Sequence, residues 1–216
     1  ILLMEIDFIK GKVKKIDLSI AKSFDYLPAD KNDISKGFCY RYRRFSRLFI
    51  KKHVFQLDDN VNFYQSKKLN RFAGGQKRKF KKINNKILEK ILLLIKKNFL
   101  EFLLVNKNYE LGIHQLRITC GKSFVGYPVP EGWHKDGFDK IIILNINSKN
   151  ITGGTTRLKK KINSDKDDFS FFLKIGEFVF VNDHKYNHYT DPINIYNEKK
   201  KAYRDTFVFT IKLLAN

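Results

Sequence analysis

At 216 residues the chain is long enough to bury a substantial core and reads most simply as one domain. Its 43 Lys+Arg against 22 Asp+Glu, a formal net charge of +21, admit nucleic acid or an anionic membrane as partner, yet the lysines are spread through the chain as on a solvated surface. Two cysteines, Cys39 and Cys120, are too few for a disulfide framework or a zinc ribbon, and no apolar run reaches the ~20 residues of a membrane span. The apolar start Ile1-Leu2-Leu3-Met4 meets Glu5 and Asp7 at once and lacks a signal peptide's order of regions, so a soluble, cytoplasmic protein is expected. The densest basic runs, 76–82 and 198–201, keep nucleic acid as a second candidate partner.

Residues 5–18 alternate apolar with polar side chains, which predicts an edge strand. Asp17 or Ser19 can cap a short helix running through Tyr26 and stopped by Pro28. In Phe38-Cys39-Tyr40-Arg41-Tyr42-Arg43-Arg44-Phe45-Ser46-Arg47 basic and aromatic residues interleave. That mixture suits a strand of a sheet, an RNA-stacking surface or a carboxylate-binding wall. Residues 64–79 read as loop around Gly74-Gly75. From Lys81 to Leu104 the positions Ile83, Ile87, Ile91, Leu94 and Ile95 recur at helical spacing, widened by Leu88, Leu92, Phe99 and Leu103. One long helix buttressing a sheet is predicted there. After Glu110 come short β-rich runs divided by Gly, Pro, Asn and Asp, at 112–119, 140–147, 155–159, 169–173, 177–182 and 204–213. Many short strands without intervening helices predict a sandwich or jelly roll. The expected plan is a helical support over about 1–105 packed on a β core over about 106–216, as one domain.

Pro130-Glu131-Gly132-Trp133-His134-Lys135-Asp136-Gly137 carries the first chemical signal. In an extended segment the side chains of His134 and Asp136 point to the same side. The C-terminal third offers two candidates for a third ligand, His184 and His188. Two histidines and one carboxylate on one face of a metal are the facial arrangement of non-haem iron(II) oxygenases. In the last strand Arg204, Thr206, Val208 and Thr210 share one face, with Phe207, Phe209 and Ile211 on the other. An inward arginine beside a threonine makes a carboxylate pocket, since the guanidinium fork matches both oxygens.

Together, Pro130-Glu131-Gly132-x-His134-x-Asp136-Gly137, Gly153-Gly154-x-Thr156, His188-x-x-x-Pro192-Ile193 and Arg204-Asp205-x-x-x-x-Thr210 resemble the iron(II)- and 2-oxoglutarate-dependent dioxygenases. Within them the chain is most similar to bacterial hydroxylases of free L-amino acids, such as the L-isoleucine hydroxylases. Tyr42-Arg43-Arg44-Phe45-Ser46, Gly74-Gly75 and His114-Gln115-Leu116-Arg117-Ile118 extend that likeness, which runs from about residue 38 to the C-terminus. The resemblance implies a mainly β double-stranded β-helix, a cupin-like jelly roll with supporting helices. It implies His134, Asp136 and His188 as ligands of Fe(II), and Arg204 with Thr206 for 2-oxoglutarate, with O2 as the other co-substrate. His188 is preferred to His184 because its distance to Pro192-Ile193 fits the family pattern. The threonine of that motif is displaced by one position, at Thr190.

Arg117 and Arg44 have two readings, a substrate carboxylate partner or a structural salt bridge, and Arg43 shares them. Trp133 and Tyr127 flank the metal motif and are candidates for the wall of the substrate pocket. The leading expectation is a hydroxylase of a free L-amino acid or similar small molecule. The same chemistry on nucleic acid, or a non-catalytic jelly-roll binding module, are the alternatives.

Overall fold

Alternation along the strands decides which side of the molecule each residue serves. The computed structural model describes residues 7–31, 39–52, 54–59, 62–67, 74–102 and 107–214. Its strands are β1 (Phe8–Lys12), β2 (Arg41–Lys51), β3 (Val54–Asp58), β4 (Asn62–Tyr64), β5 (Lys77–Lys79), β6 (Asn108–Cys120), β7 (Lys140–Lys149), β8 (Ile151–Gly153), β9 (Thr156–Lys159), β10 (Phe169–Phe171), β11 (Glu177–Asn182), β12 (Asn187–Thr190), β13 (Ile193–Ile195) and β14 (Ala202–Leu214). Two α-helices, α1 (Leu18–Ser23) and α2 (Asn85–Asn98), precede β6. Seven strands form one antiparallel sheet in the order β1-β11-β7-β14-β6-β2-β3, and β10-β9-β12 and β13-β8 form smaller sheets.

One face of the large sheet takes the helices. Phe207, Phe209 and Ile211 of β14, Leu111 and Ile113 of β6, and Phe178 and Phe180 of β11 pack there. Against them lie Ile20 and Phe24 from the α1 region and Leu88, Ile91, Leu94 and Ile95 of α2. Burying those four α2 side chains contributes roughly 6–12 kcal/mol before conformational entropy is subtracted. The opposite face packs on the smaller sheets, with Ile141, Ile143, Val179 and Val181 against Leu158 of β9, and Ile118 against Ile193 of β13. The result is a mainly β jelly roll.

The predicted helix over 81–104 is shorter, because Asn84 caps it: its side chain accepts from the Lys86 N–H at 3.0 Å. After α2 a single 3-10 turn covers Leu100–Phe102, and 103–106 lie outside the described residues. Asp17 caps α1, accepting from the Ser19 N–H at 2.8 Å, and β1 does sit at the edge of the large sheet. The first 105 residues supply more than helices, since β1, β2 and β3 all belong to the large sheet. The basic–aromatic run is the strand β2, paired along its length with β6. Within 64–79, expected as loop, Lys77–Lys79 pairs with Asn62–Tyr64. The strands β3, β4, β8, β12 and β13 have no counterpart among the predicted elements.

Candidate active site

A cavity of about 730 Å³, measured out to its mouth, opens on the face of the large sheet turned away from the helices. Its floor is set by an isolated antiparallel bridge between His134 and His188. The His188 N–H donates to the His134 carbonyl at 2.8 Å, and the His134 N–H donates back at 3.2 Å. The two ring centroids therefore stand 4.1 Å apart. Asp136 reaches between them, with Oδ1 3.5 Å from His134 Nε2 and Oδ2 3.4 Å from His188 Nε2. One donor atom from each of the three lies within 4.8 Å of the others, so the set could hold one metal ion. His184 is elsewhere: its exposed ring meets Asp139 Oδ1 at 2.9 Å.

Neighbouring groups aim these donors. His134 Nδ1 donates to the Gly132 carbonyl at 3.0 Å, which leaves the Nε2 lone pair for the site. Gly132 holds φ +80°, a left-handed conformation that costs glycine least. Gln65 Nε2 donates to Asp136 Oδ1 at 3.0 Å, and Arg78 Nη2 donates to Gln65 Oε1 at 2.8 Å. The backbone after His134 is held by Asp183, which follows β11 directly and is 1% exposed. Its carboxylate accepts the N–H groups of Asp136 at 3.1 Å, Gly137 at 2.7 Å and Phe138 at 3.0 Å. The same carboxylate lies 3.7 Å from His188 Nδ1.

Burial alone would lower the His134 imidazole, but the hydrogen bond and attraction of Asp136, with Glu131 behind it, lift it to about 9. Burial would raise Asp136, and the two imidazoles outweigh it, holding the carboxyl well below its usual range. The three donors thus form a pre-arranged negative focus that a proton or a cation can occupy.

Arg204 and Thr206 line the same cavity from β14, and both are buried. Arg204 Nη2 has no hydrogen-bond partner among the described residues, and burial pushes its guanidinium down to about 10. A buried cation facing a cavity with an unused donor is matched by an anion. Gly153 belongs to the construction: a Cβ there would meet the Pro192 carbonyl at 2.0 Å, so only glycine lets β8 and β13 close beside Arg204. Donor set, orphan donor and hydroxyl together fit a divalent metal with a chelating dicarboxylate.

Other expected contacts lie apart from the cavity. Arg117 sits on the helix side of β6, gripping Asp205 at 2.6 and 2.8 Å and Asp25 at 2.7 Å. Arg44, on the helix side of β2, donates to the Lys82 carbonyl at 2.7 Å. Both are displaced by parity, since Arg43 and Leu116 take the cavity side. Trp133 packs on Tyr189, ring centroids 5.6 Å apart, under the Lys159 ammonium. Tyr127 packs edge-on to Tyr40 at 6.0 Å, and neither Trp133 nor Tyr127 lines the cavity. Sequence reading missed the lining residues Arg41, Gln65, Arg78, Glu131 and His114, and it missed Asp183 behind them.

Known proteins share this fold. The chain is similar in structure to IDO from Bacillus thuringiensis, with TM-score 0.78 and 20% identity over 96% of this chain and 94% of that one. It is similar to a bsmA homolog from Methylobium petroleophilum PM1, with TM-score 0.77 and 22% identity over 97% and 90%. TqaL, an Fe(II)/(alpha)ketoglutarate-dependent dioxygenase, superposes with TM-score 0.64 at 12% identity over 97% and 83%. No protein of curated function matches the sequence. At these identities the likeness is one of fold, but the family model for 2OG-Fe dioxygenases matches residues 21–210. The chain belongs to the 2OG-Fe dioxygenase family, enzymes that work with iron(II), 2-oxoglutarate and dioxygen.

Proposed function

We propose that this enzyme hydroxylates a free L-amino acid or a similar small molecule, with His134, Asp136 and His188 holding iron(II) and Arg204 with Thr206 holding 2-oxoglutarate. The observation that carries the reading is the convergence of two imidazoles and one carboxylate within 4.8 Å on a cavity that also contains a buried arginine with an unused donor. Bound iron with 2-oxoglutarate and dioxygen supplies oxidative decarboxylation to succinate and carbon dioxide, and the oxidising power to place oxygen in a C–H bond. The chain's own part is orientation and exclusion of water. His134 and His188 bind as neutral imidazoles through Nε2; the Gly132 carbonyl fixes the His134 ring, and the Asp183 carboxylate stands 3.7 Å from His188 Nδ1. Arg204 fixes the far carboxylate of the co-substrate, so that its other end is presented to the metal. Phe63 lines the cavity and is backed by Phe45, Phe80 and Phe138, an apolar group that disfavours water on that side. The two cysteines, present as free thiols, accord with a cytoplasmic setting.

The decisive experiment is a panel of the common L-amino acids, each incubated with enzyme, iron(II), 2-oxoglutarate and oxygen. Succinate should form in a substrate-dependent way, and mass spectrometry should find one added oxygen on the amino acid. The net charge of +21 favours a second substrate, nucleic acid. Steeply salt-dependent oligonucleotide binding with oxidation of a base, and no amino acid accepted, would replace the small-molecule reading.

A further inference from the structure

Four arginines line the cavity: Arg41, Arg43, Arg78 and Arg204. Arg41 is offset by Asp30, with Nε 3.7 Å from a buried carboxylate oxygen, and donates to the Pro128 carbonyl at 3.1 Å. Arg204 serves the co-substrate in the reading above. Arg43 and Arg78 have no carboxylate at ion-pair distance among the described residues, and the Nε of each is buried without a hydrogen-bond partner. Arg43 is 6% exposed and Arg78 8%. Leaving such cations uncompensated in a cavity costs several kcal/mol.

Their surroundings are built to hold the charge in place. The Arg43 guanidinium lies 4.2 Å from the Phe80 ring centroid and 5.5 Å from that of Phe63, and Arg78 lies 5.1 Å from Phe63. Arg43 Nη2 donates to His114 Nδ1, one strand over. His114 is buried, stacked on Phe45 with centroids 4.6 Å apart, and burial followed by Arg43's own charge keeps it neutral, so it accepts without adding charge. Register separates this group from Arg204. Arg43 pairs with Leu116 on one side of β6, while Arg204 pairs with Ile118 on the other. Two strand spacings and two residues of rise put the two Cα atoms roughly 12 Å apart. A divalent metal and a dianionic co-substrate add no net charge, so in the loaded site four arginines still exceed the three carboxylates Asp30, Glu131 and Asp136 by one.

We infer that Arg43 and Arg78, propped by His114 and the phenylalanines, form a second anion seat that recognises the carboxylate of the primary substrate. The inference rests on the small-molecule reading above and narrows it to carboxylic acids. The carboxylate, not the amino group, is then the feature recognised first.

Binding can be tested without turnover. The enzyme is loaded with iron(II) and saturating 2-oxoglutarate under argon and titrated by calorimetry with butanoate, pentanoate and hexanoate, and with the matching amides. The acids should bind and the amides should not. Arg43→Gln and Arg78→Gln should each weaken acid binding roughly 30-fold or more, and Arg43→Lys should recover only part of it, since a point charge does not reproduce the fork. In contrast, Arg204→Gln should raise the 2-oxoglutarate requirement. Equal binding of acid and amide, no acid binding to the wild-type protein, or a loss in Arg43→Gln confined to 2-oxoglutarate would each overturn the seat. Should Arg43→Gln fail to fold, Arg78→Gln and the acid–amide comparison still decide. Failure of the amino-acid panel with acid binding intact would instead sink the substrate assignment and spare the seat.

Discussion

Asp183 offers the sharpest check on how the metal site is held. It touches no proposed ligand donor directed at the metal, yet its carboxylate accepts three backbone N–H groups, those of Asp136, Gly137 and Phe138. Hydrogen bonds to an ionised group contribute about 1.5–3 kcal/mol each, and buried donors left unpaired cost a similar amount. Because the three N–H groups lie on one loop that can shift toward water together, Asp183→Ala should cost roughly 3–6 kcal/mol in all. Part of this appears as lost fold stability and part as lost metal affinity. Residues that orient metal ligands typically govern 10–100-fold in affinity. Asp183→Asn keeps one oxygen, enough for the Gly137 and Phe138 donors that share Oδ2, and turns its NH2 toward the Asp136 N–H. It should therefore fall between wild type and alanine. Urea unfolding of the metal-free protein measures the first part, and anaerobic iron(II) calorimetry the second. An Asp183→Ala protein that folds and binds iron within twofold of wild type would refute the reasoning.

Two further outcomes follow from the same geometry. His188→Ala should abolish iron binding and turnover, while His184→Ala should keep most of both, because the His184 ring is exposed and meets only Asp139 at the surface; anaerobic iron titration of the two variants decides. In the metal-free protein His134 is held up at about 9, so near neutral pH an incoming cation must displace its proton. Apparent iron affinity should rise by about tenfold per pH unit through the neutral range and level off near pH 9. The protonated imidazole, conversely, stabilises the metal-free fold fully below its unfolded value of ~6.5 and ceases to do so as pH rises through about 9. Affinity that is flat between pH 6.5 and 8.5 would show that His134 is already neutral.

What was legible in the sequence is what lies close together along the chain or repeats with a strand's period. His134 and Asp136 are two apart, and Arg204 to Ile211 alternate cleanly, so their faces could be read directly. His188 was separated from His184 only by family spacing, and nothing local distinguishes them. The arginines show the limit of alternation. It divides Arg43 from Arg44, and Leu116 from Arg117, into opposite faces, but it does not say which face meets the cavity. That depends on Ser23, Asp25 and Asp205, which draw Gln115 and Arg117 to the helix side. Asp183 was illegible for another reason. Its partners lie 45–47 residues earlier, and an Asn-Asp turn after a strand carries no mark of what it will accept.

The division of labour along β6 explains why both faces tolerate so much charge. Its odd side chains, Leu111, Ile113, Gln115 and Arg117, face the helices, and its even ones, His114, Leu116 and Ile118, face the cavity. On β2 the same parity sets Arg41, Arg43 and Phe45 against Arg44, Leu48 and Ile50. A slip of one residue in β2 against β6 would bring Arg44 into the cavity in place of Arg43, but it would also turn Leu48 and Ile50 out of the helix-side core. Removing two such side chains from a core costs about 3–6 kcal/mol in transfer free energy alone. Register here is therefore held by the aliphatic residues at the far end of the strand, where no ligand is near. The chemistry at Arg43 inherits its position from packing at Leu48 and Ile50.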